Sequence, residues 1–329
     1  MIAYNRINLE ERLRIEIYIE QGKSKSEIAL LINRHKSTIG REIRRNKGNV
    51  YKAERANIHA LSGNKQRHKG TKITNDPLLE YLVITRLKQR WSPEQISKRS
   101  KHSHSKNKRF QVSHESIYTY IYLWAKKELR KELISYLHQQ KAVRRRPESR
   151  GKLRSNIPDR VDISERPHEV EDRIIPGHWE SDLVIGKDGK SAIGTIVERT
   201  TRTALLVKLK DRSAATVRDA FAEKLLTLPK QMRLSTTHDN GSEMAQHKLF
   251  TEQTQIKVYF ASPYSPWQRG TNENTNGLIR GFYPKGTDFN EVTAEELNVV
   301  QDLLNNRPRK TLNWKTPNEV FEKIIMKKI

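Results

Sequence analysis

The sequence predicts an all-α, strongly basic first half followed by a mixed α/β layer domain. Three observations carry that reading. The charge is lopsided along the chain. Helical periodicity with helix-start words fills the stretch before residue 140. After Pro176-Gly177 the pattern changes to alternating, β-branched runs.

The 329 residues hold 63 Lys+Arg against 38 Asp+Glu, a formal net charge of +25, and a pI near 10.1. Residues 1–150 carry 35 basic and 14 acidic side chains, leaving 28 and 24 for the remainder. The excess therefore lies in the first half, where it suits a polyanionic partner, a nucleic acid or an anionic membrane surface. No run of 18 apolar residues occurs, and Met1-Ile2-Ala3-Tyr4-Asn5-Arg6 lacks the apolar core of a signal peptide, so no membrane partner is expected. The chain has no cysteine. That excludes disulfides, thiolate nucleophiles and cysteine-type zinc sites, and fits a reducing cytoplasm.

The first helix is expected over Leu9 to Gln21, with Leu13, Ile15, Ile17 and Ile19 supplying its apolar positions and Gly22 ending it. Ser24-Lys25-Ser26-Glu27 is a capping-box word that opens a second helix bearing Ile28, Leu31 and Ile32. After Asn33-Arg34-His35 a third helix begins near Ser37 and packs through Ile39 and Ile43. Its other faces carry Lys36, Ser37, Thr38, Arg41, Arg44 and Arg45, the candidate contacts to double-stranded DNA if this is a helix-turn-helix whose third helix enters the major groove. An ordinary three-helix bundle with a solvated basic face would show the same periodicity.

A polar, basic stretch over 51–75 reads as a helix and connector. In the next unit Trp91-Ser92-Pro93-Glu94-Gln95 starts a helix, Lys101 to Arg109 forms a basic loop, and Ser113 caps a helix with Ile117, Ile121 and Trp124. This is either a second, looser helix-turn-helix or a structural helical module, and Tyr118, Tyr120 and Tyr122 read as packing residues. Arg144-Arg145-Arg146-Pro147 marks a basic linker. Then come strands at 179–185, 192–197 and 204–208 with a turn at Thr201-Arg202, a helix at 214–228, a strand at 234–237, a helix at 247–254, a strand at 256–260 and a helix at 293–305. The boundaries are thus 1–50 for the first helical domain, 51–75 for the connector, 76–140 for the second helical domain, 141–170 for the linker and 171–329 for the α/β domain.

Three carboxylates stand out by context. Asp182 lies inside the apolar strand 178–185, where a bare charge is costly unless paired, hydrogen-bonded or bound to metal. Asp239 ends a strand before Asn240-Gly241, at the end where α/β domains place ligand groups; the same three residues also read as a plain turn. Glu273 follows Ser265-Pro266-Trp267-Gln268-Arg269-Gly270-Thr271-Asn272, with 33 residues separating it from Asp239. Phosphodiester chemistry gives a reason for such a set. Two Mg²⁺ ions roughly 3.5–4 Å apart activate a nucleophile and stabilise a leaving oxygen, and hard oxygen ligands hold them.

The words His178-Trp179-Glu180-Ser181-Asp182, Asp239-Asn240-Gly241 and Pro263 to Asn274, with Tyr283-Pro284-Lys285-Gly286-Thr287-Asp288-Phe289, Leu304-Asn305-Asn306-Arg307-Pro308-Arg309-Lys310-Thr311-Leu312 and the Ser37 to Ile43 region, resemble the DDE transposases of bacterial insertion sequences, most closely the IS-thirty family. The resemblance covers nearly the whole chain. It implies a ribonuclease-H-like catalytic domain of five mixed strands behind an N-terminal DNA-binding region. It implies Asp182, Asp239 and Glu273 as the metal-binding catalytic triad for two Mg²⁺ ions, with Mn²⁺ an alternative. It also implies Arg280, seven residues after Glu273, as a phosphate-holding residue. The substrates would be terminal inverted repeats and target DNA, and the assembly a homodimer or larger synaptic complex in the bacterial cytoplasm, associated with the nucleoid. His238 and Met244 depart from the pattern, where larger aromatic residues are expected. Glu180, His178, His238 and Glu243 remain as possible supporting or alternative groups. A DNA-binding regulator with an inactive domain, a nuclease that never joins strands, and an RNA-processing nuclease are the rival readings.

Overall fold

The computed structural model describes residues 6–46, 50–67, 70–137, 157–262 and 265–328. The chain divides into two compact units, Met1–Thr71 and Lys72–Ile329. The expected arginine run at 144–146 lies outside the described residues.

The first unit is helical: α1 Leu9–Glu20, α2 Lys25–Leu31, α3 Lys36–Arg45 and α4 Ala53–Arg67. Asn8 and Glu11 form a reciprocal capping box at α1, and Ser24 and Glu27 another at α2. Gly22, at φ +73°, takes the left-handed turn that ends the first helix. The buried face of α1 differs from the sequence expectation. Leu13 and Ile17 are exposed, while Ile15 is fully buried and Arg12 lies inside with it. Arg12 Nε donates to Glu42 of α3 at 2.7 Å, and its Nη1 donates to Asn57 of α4 at 3.2 Å. A buried charge pair adds to the apolar cluster of Ile15, Ile28 and Ile39 in tying these helices together, and a count of apolar positions cannot see it.

The second unit opens with α5 Pro77–Lys88, α6 Pro93–Ser103, α7 His114–Thr119, a π-helical turn at Tyr120–Trp124 and α8 Lys127–Ser135. Ser92 with Gln95 caps α6 and Ser113 caps α7, as the sequence predicts. Of the three tyrosines expected to pack, only Tyr120 is buried, with its hydroxyl donating to Glu80 at 2.7 Å; Tyr118 and Tyr122 stack on each other at the surface. This module is pinned to the end of the chain. Gln95 donates to the Pro308 carbonyl at 2.8 Å, Arg307 donates to Gln95 at 2.9 Å, and Arg99 pairs with Glu319. Glu319 belongs to α13 Pro317–Lys328, a helix beyond the last one the sequence analysis placed.

The α/β part holds one five-stranded sheet: β1 His178–Ile185, β2 Ala192–Glu198, β3 Ala204–Lys208, β4 Ser235–His238 and β5 Lys257–Phe260. Their spatial order is β3-β2-β1-β4-β5; the first three are antiparallel neighbours, and β4 and β5 run parallel to β1. The period-two alternation of side chains sorts the two faces. Trp179, Leu183 and Ile196 enter a core with Phe221 and Phe250, from α9 Ala214–Leu226 and α10 His247–Thr254. Val184, Ile193 and Leu206 enter the opposite core with Leu278, Ile279 and Leu297, from α11 Gly270–Phe282 and α12 Ala294–Asn305. Gly194 lets α9 approach the sheet: a Cβ there would lie 2.1 Å from the Phe221 ring. A mixed sheet in this order, with helices on both faces, is the ribonuclease-H-like arrangement expected. Glu180 and Asp182 share the face of Val184, so β1 presents both to α11.

Candidate active site

Asp182 sits mid-strand on β1 and Asp239 one residue past the end of β4. The parallel register that pairs His178 with Ser235, Trp179 with Thr236 and Glu180 with Thr237 keeps a constant offset. Carried two residues further, it sets Asp239 beside Asp182. The two carboxylates converge on one cation, the Arg269 guanidinium, which lies 3.6 Å from Asp182 Oδ2 and 3.4 Å from Asp239 Oδ2.

Asp182 is held from several sides. Its Oδ1 accepts from the Leu183 amide at 2.9 Å, and its Oδ2 accepts from Asn276 Nδ2 of α11 at 3.0 Å. Burial pushes its pKa up to about 6; Arg269 opposes that shift and the neighbouring Asp239 charge adds to it. Asp239 Oδ1 accepts from the Gly241 amide at 3.0 Å, so the turn reading of Asp-Asn-Gly is realised together with the carboxylate's placement. Asn240 braces that turn, donating to the Ala261 carbonyl at 2.7 Å and accepting from Arg160 at 2.6 Å. Glu243 lies in the following 3-10 turn and folds back over Gly241, where an added Cβ would meet its carboxylate at 2.2 Å. Burial raises its pKa, and the charges of Asp239 and Asp182 raise it further.

Glu273 lies in the first turn of α11 and is exposed. It is three residues before Asn276, on the same flank of the helix as the residue that reaches Asp182. Among the described residues no three His, Asp or Glu side chains are close enough together to hold a metal ion. Two of the three sequence-selected carboxylates are thus adjacent, and the third stands on the helix beside them. The donor set nevertheless fits a hard divalent cation. Two carboxylates already share a positive group, and they carry oxygen ligands only.

Glu180, a possible ligand by strand parity, is engaged elsewhere. It is fully buried and pairs with Arg199 at 2.8 Å. Its second oxygen accepts from the Asn272 amide at 2.8 Å, and its backbone carbonyl accepts from the Asn272 side chain at 2.9 Å. Glu180 therefore fastens the start of α11 to β1. The two histidines are neutral packing residues. Burial lowers the pKa of His178 to about 4 and that of His238 to about 3. They bond Ser235 at 2.8 Å and Thr236 at 3.2 Å respectively, and His238 stacks near Phe221. Met244 is buried in the same core and fills space there. Arg280 donates to the Ile185 carbonyl at 2.6 Å, at the end of β1.

Sequence reasoning missed Arg269 and Asn276. Helical spacing was an available signal for Asn276, which follows Glu273 by three residues; Arg269 stands in the 3-10 turn before α11, where that spacing does not apply. Trp267, two residues before Arg269, is exposed.

In the first unit α3 offers a separate surface. Ile39 and Glu42 turn inward, whereas Lys36, Ser37, Arg41, Arg44 and Arg45 are exposed and Thr38 is half-buried. The helix starts one residue earlier than expected, because His35 caps it: its Nδ1 accepts from the Ser37 amide at 3.2 Å. Arg41 donates to the Ser37 hydroxyl at 3.2 Å.

A helix-turn-helix domain family matches residues 3–46, and an integrase core domain family matches residues 173–266. The core match contains Asp182 and Asp239 and stops seven residues before Glu273. Integrase cores work with divalent metal ions and transfer polynucleotide strands. The chain is 43% identical over 326 residues to the transposase for insertion sequence element IS1086 of Cupriavidus metallidurans, covering 98% of this chain and 96% of that one. It is 41% identical over 325 residues to transposase InsI for IS30A of Escherichia coli strain K12, covering 98% and 84%. A third relative, the transposase for IS4351 of Bacteroides fragilis, is 40% identical over 322 residues, covering 97% and 96%. Among solved structures, the catalytic core domain of BIV integrase matches 46% of this chain and 97% of its own length, at 18% identity and a TM-score of 0.36. With nearly its whole length aligned to these three transposases, the chain belongs to the insertion-sequence transposases of the IS-thirty family.

Proposed function

We propose that the chain binds the terminal inverted repeats of an insertion sequence and cleaves and joins DNA at Asp182, Asp239 and Glu273. The observation that carries this reading is the convergence of Asp182 and Asp239, from β1 and the end of β4, on a single cationic position. Two divalent ions, Mg²⁺ or Mn²⁺, would supply charge neutralisation and a lowered pKa for the attacking oxygen there.

The chain's own residues do the rest. Asp182 is the fixed ligand, because the Leu183 amide and Asn276 hold both of its oxygens. Asp239 faces it from a braced turn. Glu273 closes the set from α11, whose start is locked to β1 through Glu180 and Asn272. That lock holds the start of the helix that carries Glu273 against the strand that carries Asp182. Water is the nucleophile in the first step and a freed 3′-hydroxyl in the second. The site does not change between the steps; it positions the attacking oxygen and stabilises charge on the phosphate. Arg41 and its neighbours on α3 read the repeats in the major groove, and two ends are held together by a homodimer or larger assembly.

The test is cleavage of a supercoiled plasmid carrying the element's ends, with Mg²⁺, by the wild type and by Glu273→Gln. Nicking and end joining by the wild type alone supports the reading. Equal activity of the two removes Glu273 from the site and makes Glu243 the next candidate. End binding without nicking by either favours a DNA-binding regulator.

A further inference from the structure

The Arg269 guanidinium lies between the two aspartates, and its contacts differ from those of the buried Arg199 nearby. Arg199 meets Glu180 at 2.8 Å, on an oxygen with no exposure. Arg269 meets Asp182 and Asp239 at 3.6 and 3.4 Å, beyond the roughly 2.7–2.9 Å of a tight charge-assisted bond. One of the two carboxylates, Asp239, has a side chain 42% exposed. The first pair is a lock and the second is a loose bridge.

The bridge is nonetheless aimed. Arg269 ends the 3-10 turn Pro266–Arg269. Gln268, just before it, accepts from the Ser262 amide at 2.7 Å, and the Gln268 carbonyl accepts from Arg199 at 3.4 Å. Arg269 Nη1 also reaches the Ser181 carbonyl at 3.3 Å. Gln268 is thus tied to the residues that follow β5 and β2, and the Arg269 side chain is directed back over the middle of β1 and the end of β4. Glu243 adds a third carboxylate to the same neighbourhood. Without a positive group, that concentration of negative charge would repel itself in a partly dry site.

We propose that Arg269 is a place-holding counter-ion. In the metal-free chain its guanidinium bridges Asp182 and Asp239 and keeps them together. A divalent ion taken up by the same two carboxylates displaces it, and the freed guanidinium remains beside the site, one helical turn before Glu273. Metal and Arg269 therefore compete for one position, and the apparent affinity for metal is lowered by the fraction of chains in which the bridge is closed. The inference rests on the assignment of Asp182 and Asp239 as ligands, and the experiment separates the two.

Mn²⁺ binding to the full chain is followed by calorimetry and by the loss of the free-ion paramagnetic resonance signal, in the wild type, Arg269→Gln, Arg269→Lys and Asp239→Asn. Arg269→Gln is expected to bind Mn²⁺ roughly tenfold more tightly than the wild type. Arg269→Lys, whose single ammonium reaches one carboxylate at a time, is expected to fall between them. Without metal, Arg269→Gln is expected to melt below the wild type and to gain more in melting temperature when Mn²⁺ is added. If Arg269→Gln folds only with Mn²⁺, that supports the proposal, and the lysine variant carries the affinity comparison. Unchanged or weaker Mn²⁺ binding in both arginine variants, with wild-type circular dichroism, overturns it and makes Arg269 a helper of the ion rather than its competitor. Asp239→Asn binding Mn²⁺ like the wild type overturns the ligand assignment itself, whatever the arginine variants do.

Discussion

Asp182 has conflicting demands on its charge. Burial is the largest influence and, with the Asp239 charge, favours its protonated form, while Arg269 and the Leu183 amide favour the ionised one. The outcome is a pKa of about 6 against an ordinary 3.8. Between those values the folded chain keeps a proton that the unfolded chain releases, so this group makes stability fall as pH rises from about 4 to about 6, with the loss complete above that. The size is on the order of 2–3 kcal/mol. Metal-free Asp182→Asn is therefore expected to be more stable than the wild type at pH 7 and to lack that part of the decline, read by urea denaturation between pH 4 and 8. A less stable variant would mean that the Arg269 attraction outweighs the cost of burial. With Mg²⁺ and DNA ends the expectation reverses. Asp182→Asn, Asp239→Asn and Glu273→Gln should each lose cleavage and keep gel-shift affinity for the ends, and any one that cleaves normally is not a ligand.

At the scale of elements, the join between β1 and α11 decides whether the site forms. Arg199→Ala would leave the Glu180 carboxylate fully buried without its cation, and is expected to destabilise the second unit by about 3–5 kcal/mol in chemical denaturation. A loss below about 1 kcal/mol would show that water reaches Glu180 in place of the guanidinium. Gly194→Ala tests the other face. Its Cβ would collide with the Phe221 ring, and a cost of about 1–3 kcal/mol is expected; a neutral variant would mean that α9 shifts freely. These elements were legible in the sequence to unequal degrees. The capping words at Ser24 and Ser92 are local, and the structure realises both. The word Thr316-Pro317-Asn318-Glu319 is equally local and starts α13, with the Thr316 amide donating to Glu319 at 2.8 Å. Leu13 and Ile17 misled because Arg12 is made internal by Glu42, thirty positions away. Asp182 and Asp239 could be placed from strand alternation and strand ends. Arg269 could not, because its role depends on three segments meeting in space.

At the scale of the molecule, the positive charge sits largely in the first 150 residues and the carboxylate site in the α/β part. Binding of DNA ends is expected to weaken linearly in log–log terms as salt rises, because Lys and Arg contacts to phosphate release counterions. A flat salt response would remove the basic half from the interface. Arg41→Ala is expected to cost about 1–3 kcal/mol of specific binding if it reads a base with both nitrogens, and to relax preference at one position. Unchanged affinity would move recognition to the second helical module.

The clip between Arg99 and Glu319 also bears on synthesis. Its partners are 220 positions apart. A ribosome that has delivered 71 residues has already supplied every residue of the first unit, whereas one that has delivered 300 has not yet supplied the residues that pin α6. The helix-turn-helix unit is therefore complete early and the unit with the integrase core late. A message broken anywhere between those points would yield a product that carries the whole helix-turn-helix unit and lacks the partners that pin α6.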